Sequence, residues 1–269
     1  MKRSMEREHV CNSLKAAAGI GVALALSIPG SASVANYGRR AEFTIENPPV
    51  DFEVIDAEPF DGFGDNGPYS TFNDALLGTV GEARSMAEFD ISSFSVPAGE
   101  YIRAATFEVE ITEIDIFGLG VDGETPESLA VDGYVGNGLD ELSDFEAGDG
   151  NVLDSVAIPN PRIGQVLSFH VRSFVSDLVN AQEQYAGLTV RAETFGGLWV
   201  TEGGAFPKLT IETGMLGDAD GDGDVDVNDF LGLLAAWGPC ADCDVCPADF
   251  NGDCSVDVLD FLILLANWG

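Results

Sequence analysis

Basic side chains are scarce in this chain of 269 residues: 12 Lys and Arg stand against 46 Asp and Glu, a formal charge of −34. Such a polyanion repels nucleic acid, which excludes that class of partner. Between 41 and 213 the basic residues are Arg84, Arg103, Arg162, Arg172, Arg191 and Lys208, scattered singly, and none follows Lys208. The basic groove that a lyase of acidic polysaccharide needs is therefore missing. Histidine is limited to His9 and His170. His170 alternates against Leu167, Phe169 and Val171, which places it on the wet face of a strand rather than in a catalytic pair. No nucleophile motif and no glycine-rich phosphate loop occurs. Glycosidases need two carboxylates, but a chain this acidic contains such pairs by chance. Long apolar runs are also lacking; "AAAGIGVALALSI" at 16–28 is too short and too rich in small residues to span a membrane.

That short run has a different meaning. Lys2, Arg3, Arg7 and Lys15 precede it and the small residues Ser33 and Ala35 follow, so 1–35 reads as a secretory signal peptide cut near Ala35. Its removal takes four basic and two acidic side chains, which moves the formal charge from −34 to −36. The expected localisation is extracellular or cell-surface, with no membrane span. Export leaves Cys240, Cys243, Cys246 and Cys254, and an even count outside the cell favours two disulfides. "CADCDVC" also has metal-site spacing, which zinc or an iron–sulfur cluster could use. Four cysteines allow three pairings, and the spacing does not choose among them.

The expected fold is mostly β: a single jelly-roll-like β-sandwich over 36–213 with one short helix, a connector at 214–217, and a small α-helical domain over 218–269. In "TFEVEIT" at 106–112, Phe107, Val109 and Ile111 face one way and Glu108, Glu110 and Thr112 the other, the period of a half-buried strand. The apolar parity then shifts to Ile114 and Ile116, which predicts a bulge near Thr112 or Glu113. Further strands are expected at 86–91, 166–171, 187–193 and 208–212, and a serine-capped helix from Ser173. About 170 residues suffice for one good core. The stretches "EARSMAEFDISSFSVPAGEYIRAATFEVEI", "FHVRSFVSDLVNAQEQYAGLTVRAE" and "FPKLTIE" resemble, in order, secreted β-sandwiches akin to carbohydrate-binding modules. That resemblance implies a glycan-binding or structural role, for which Trp199 and Tyr134 are the candidate aromatic platform.

The acid is concentrated in "DADGDGDVDVNDFLGLLAAWG" at 218–238, which recurs as "DFNGDCSVDVLDFLILLANWG" at 249–269. With Asp218 as position 1, aspartates fall at 3, 5, 7, 9 and 12 and Gly223 at 6, the register of a calcium loop. At an effective dielectric of about 20, carboxylates some 4 Å apart repel by roughly 4 kcal/mol, so such a loop needs a cation. A short helix follows each loop. Phe230, Leu233, Leu234 and Trp237, with Phe261, Leu264, Leu265 and Trp268, give each helix an apolar stripe, and the two are expected to pack around the tryptophans.

This duplicated unit resembles dockerins, specifically the cysteine-containing variety. The resemblance implies two Ca2+ ions, one per loop, and docking onto a cohesin-like protein or cell-envelope scaffold. It assigns side-chain ligation to Asp218, Asp220, Asp222 and Asp229, a backbone carbonyl to Asp224 and a direct or water-mediated contact to Asp226. In the second loop the same roles fall to Asp249, Asn251, Asp253 and Asp260, to Ser255 by its carbonyl, and to Asp257. Two departures stand out. Cys254 replaces the glycine of the sharp turn, and the partner-reading positions, often Ser or Thr, are Val227, Asn228, Val258 and Leu259. The expected protein is thus secreted and non-catalytic, with polysaccharide a possible ligand. The alternatives are a small polysaccharide-degrading enzyme displayed by its tail, and a tail that only caps the sandwich.

Overall fold

A computed structural model describes residues 32–37, 40–58, 61, 63–69, 74–201 and 206–269. The segment read as a signal peptide lies outside the described residues up to 31; 32–37 already form strand.

Among the described residues fifteen strands occur: β1 (Ala32–Tyr37), β2 (Arg40–Glu46), β3 (Val50–Asp56), β4 (Asn66–Tyr69), β5 (Asp74–Leu77), β6 (Glu82–Asp90), β7 (Glu100–Glu113), β8 (Ser128–Gly136), β9 (Val152–Ala157), β10 (Val166–His170), β11 (Tyr185–Ala192), β12 (Gly196–Val200), β13 (Lys208–Met215), β14 (Gly238–Pro239) and β15 (Ser255–Val256). The helices are α1 (Asp144–Ala147), α2 (Arg172–Ala181), α3 (Val227–Ala235) and α4 (Val258–Ala266).

The chain is mostly β, yet the expected architecture needs two corrections. First, β1 to β13 form one connected antiparallel sheet in the order β1-β2-β13-β7-β12-β5-β6-β11-β8-β9, with β10 on β7, β3 on β6 and β4 on β3. Strand β7 is the reason. Its fourteen residues pair β13 and β10 along most of their length, then pair β12 at Ile111 and Glu113. One strand therefore belongs to both halves. The register shift against Trp199 and Val200 leaves Thr112 unmatched, at the place where the apolar parity breaks. Strands β6 and β7 are not bonded neighbours, but the Phe89 and Phe107 rings meet edge-on at 5.8 Å, so the two halves face each other across a shared core.

Second, the C-terminal region is not a helical domain. It consists of two loops, two disulfides, the two-stranded β14–β15 pair and short helices of nine residues. Its buried residues, Val225, Leu233, Phe250, Val256 and Leu264, form a small cluster separate from the main core, to which β7 adds Tyr101. The expected packing around tryptophans is not observed. Trp237 and Trp268 stay 51% and 49% exposed, and the helices touch through Phe230 and Phe261, 5.7 Å apart.

Helix α2 starts beside the beginning of β7, where Val171 N–H donates to Ala105 C=O at 2.9 Å. Its N-cap is Val171, without a side-chain cap, instead of a serine. The Ser173 N–H donates instead to Asp244 of the tail at 2.5 Å. An aspartate distant in sequence thus satisfies one of the amides that a helix start leaves open. This end of the β layer, with Tyr101, Arg103, Arg172 and Ser173, is where the tail sits.

Candidate metal centre

Each acidic loop is organised by its first and last aspartates. In the first loop, buried Asp218 accepts from Gly221 N–H at 2.5 Å on one oxygen and from Gly223 N–H at 3.1 Å on the other. Asp229, also buried, accepts from Ala219 and Asp220 N–H on one oxygen and from Asp226 N–H on the other, at 2.8, 3.1 and 2.7 Å. Asp226 caps α3 by accepting from Asn228 N–H, so Asp226 and Asp229 form a capping box. Asp220 and Asp222 turn the loop by accepting from Asp222 and Asp224 N–H. Gly223 takes φ 92°, a conformation that costs glycine little.

The loop brings three of the expected ligands together. One carboxylate oxygen each from Asp218, Asp220 and Asp222 lies within 4.8 Å of the others. Burial pushes the Asp218 carboxyl upward, opposed by its backbone hydrogen bonds and by Arg103. Oxygen donors at this spacing suit a hard divalent cation, and calcium takes six to eight of them. The donor set of the first loop fits calcium. Asp224 is exposed, while Asp226 and Asp229 are committed to backbone amides.

The second loop repeats the frame with differences. Asp260 accepts from Phe250, Asn251 and Asp257 N–H, as Asp229 does from its equivalents, and Asp257 caps α4. Burial raises the Asp260 carboxyl too. Asn251 and Asp253 are exposed, and Ser255 donates its N–H to Asp253. Asp249 is fully buried and pairs with Arg172 at 3.2 Å. Cys254 adopts φ 66°, a left-handed turn that costs a non-glycine residue roughly 1–2 kcal/mol. The disulfides are Cys240–Cys246 and Cys243–Cys254, so the second bond ties this turn to the inter-loop segment.

Sequence reasoning found no basic residue near the loops. The fold supplies two, Arg103 from β7 and Arg172 from the first position of α2. Arg103 donates to the carbonyls of Asp218 and Ala219 at 3.3 and 3.1 Å. Arg172, 4% exposed, donates to the Asp249 carbonyl and carboxylate and to the Cys243 carbonyl. Between them Tyr101 donates its hydroxyl to Pro247 C=O at 3.1 Å and meets Phe250 edge-on. Burial pushes its phenol up to about 12. Periodicity could flag none of these three, since their role depends on contacts more than 70 positions away.

Outward, the tail is apolar. Val227, Leu231, Leu234 and Trp237, with Val258, Leu259, Leu262, Leu265 and Trp268, are all 48–57% exposed. Of the expected aromatic platform, Tyr134 is buried beside Glu88 and cannot serve. Trp199 lines an open cleft of about 460 Å³ with Tyr69, Phe117, Glu113 and Asp115. His170 is exposed, on the wet face of β10. Among the described residues no helix is long and apolar enough to cross a membrane.

No protein-family model matches the chain, and no curated protein does.

Proposed function

We propose that this is an exported, non-catalytic protein whose C-terminal repeat is a calcium-dependent docking module clasped onto a β layer. The observation that carries the proposal is the convergence of Asp218, Asp220 and Asp222 oxygens within 4.8 Å, in a loop register that suits calcium. Three carboxylates so placed repel one another, and a divalent ion converts the repulsion into coordination. Disulfides at Cys240–Cys246 and Cys243–Cys254 agree with an oxidising compartment.

The inner face of the tail is engaged by Tyr101, Arg103 and Arg172, so capping of the β layer and outward docking are compatible roles. The outward apolar face of α3 and α4 is where a cohesin-like or envelope-scaffold partner would bind, and Val227, Val258 and Leu259 sit within it. A neutral glycan, if one is bound, belongs in the cleft beside Trp199, where aromatic rings can stack on a sugar and carboxylates accept from its hydroxyls.

Calcium titration of the full chain by calorimetry tests the reading. Saturable binding that is weakened by roughly tenfold or more in Asp222→Ala is expected. Absence of binding heat, together with a melting temperature indifferent to calcium and chelator, would refute it.

A further inference from the structure

We infer that the two loops are not equivalent: the first is a divalent-cation site, whereas in the second the Arg172 guanidinium supplies the positive charge and no ion binds. The inference rests on the calcium reading of the first loop and specifies its stoichiometry.

The difference begins at position 1. A carboxylate offers about four lone-pair positions. Asp218 uses two for Gly221 and Gly223 N–H, which leaves capacity for an ion. Asp249 is saturated. One of its oxygens accepts from Gly252 and Asp253 N–H at 2.8 and 3.1 Å, and the other from Cys254 N–H and Arg172 at 3.1 and 3.2 Å. The pair is sealed from water, with side chains 4% and 0% exposed, so a divalent ion at this loop would face an unscreened guanidinium.

Positions 3 and 5 differ in the same sense. The Asn251 side-chain amide donates to the Asp253 carboxylate at 2.9 Å, and Asp253 N–H donates to the Asn251 side-chain oxygen Oδ1 at 3.1 Å. These two residues therefore close on each other. In the first loop the same main-chain bond runs from Asp222 N–H to Asp220 at 3.1 Å, but the two ionised carboxylates have no proton to share with each other, and a cation between them offsets their repulsion. Position 12 does not discriminate, since Asp229 and Asp260 accept the same three amides. Nor does the arginine at the first loop compete with an ion for the carboxylate, because Arg103 reaches the main-chain carbonyls of Asp218 and Ala219. The clasp at the second loop is thus permanent: an ion pair, the Cys243–Cys254 bond and an Asp244 cap on α2.

Equilibrium dialysis of the full chain against calcium alone, with bound metal counted, decides the matter. One ion per chain is expected. Asp222→Ala should weaken it by roughly tenfold or more, as loss of a charged ligand does, while Asp253→Ala leaves it unchanged. In Arg172→Gln a second ion should bind, and adding Asp253→Ala should remove it. Should Arg172→Gln fail to fold, the wild-type count and the Asp253→Ala result still decide. Two ions in the wild type, one of them lost in Asp253→Ala, would overturn this inference and leave the calcium reading standing. No ion at all would overturn both.

Discussion

Buried charge in this protein is handled in two ways, and single side chains show the contrast. Arg172 and Asp249 neutralise each other within a network of amide donors, and deletion of one partner of such a pair typically costs about 3–5 kcal/mol. Asp144 of α1 has no such basic partner among the described residues. It is 6% exposed, burial raises its carboxyl to about 6, and Glu88, Glu141 and Asp140 add to the effect. Glu88, fully buried, is raised for the same leading reason. A folded-state value above the unfolded one means that the protonated form favours folding. This stability is fully present below about pH 4, and it is lost as pH rises through about 6. Asp144→Asn should therefore flatten the fall in stability between about pH 4 and 6, by up to about 3 kcal/mol, in urea denaturation at a series of pH values. An unchanged pH profile in the variant would contradict the assignment. Cys254 poses a different balance. In a Cys243→Ser/Cys254→Gly variant the left-handed turn is relieved by roughly 1–2 kcal/mol, against about 3 kcal/mol lost with the cross-link, so a net loss of about 1–2 kcal/mol is expected from the urea midpoint.

Among elements, β7 and the loop-helix repeats were legible to different degrees. The burial of Phe107, Val109 and Ile111 and the parity break at Thr112 follow from alternation alone, because a strand's environment is written into its own residues. What β7 does beyond that was not legible: Tyr101 and Arg103 look like ordinary strand residues until β13 carries the tail across them. The helix start at Arg172 was similarly misread, since its missing cap is Asp244, 71 positions away. In the tail, Phe230, Leu233 and Leu264 were correctly placed inward. Leu234, Trp237, Leu265 and Trp268 were not, because an apolar stripe reports burial or docking without distinguishing them. Paired substitution of Leu231 and Leu262, 57% and 55% exposed, by aspartate separates the two. Folding stability should change by no more than about 0.5 kcal/mol per site, while capture of an envelope partner by the full chain should be abolished. A large fall in melting temperature would assign the face to the core instead.

Across the entire chain, the acidic tail and the segment leading into it are tied to the β strands. Strand β13 pairs with β7 through Met215, and Leu216 N–H bonds Gly99 C=O, so the connector is held. Composition could locate the acidic repeat and its register, but not the two arginines that β7 and α2 contribute to it. The central claim is that calcium orders the first loop while Arg172 of α2 takes the ion's place at the second. Hydrogen exchange of the full chain, with calcium and with chelator, measures this amide by amide. The N–H groups of Ala219, Asp220, Gly221 and Gly223, which bond Asp218 and Asp229, are expected to gain protection with calcium. Those of Gly252, Asp253 and Cys254, which bond Asp249, should be protected equally in both conditions. First-loop amides indifferent to calcium, or second-loop amides that depend on it, would contradict the claim.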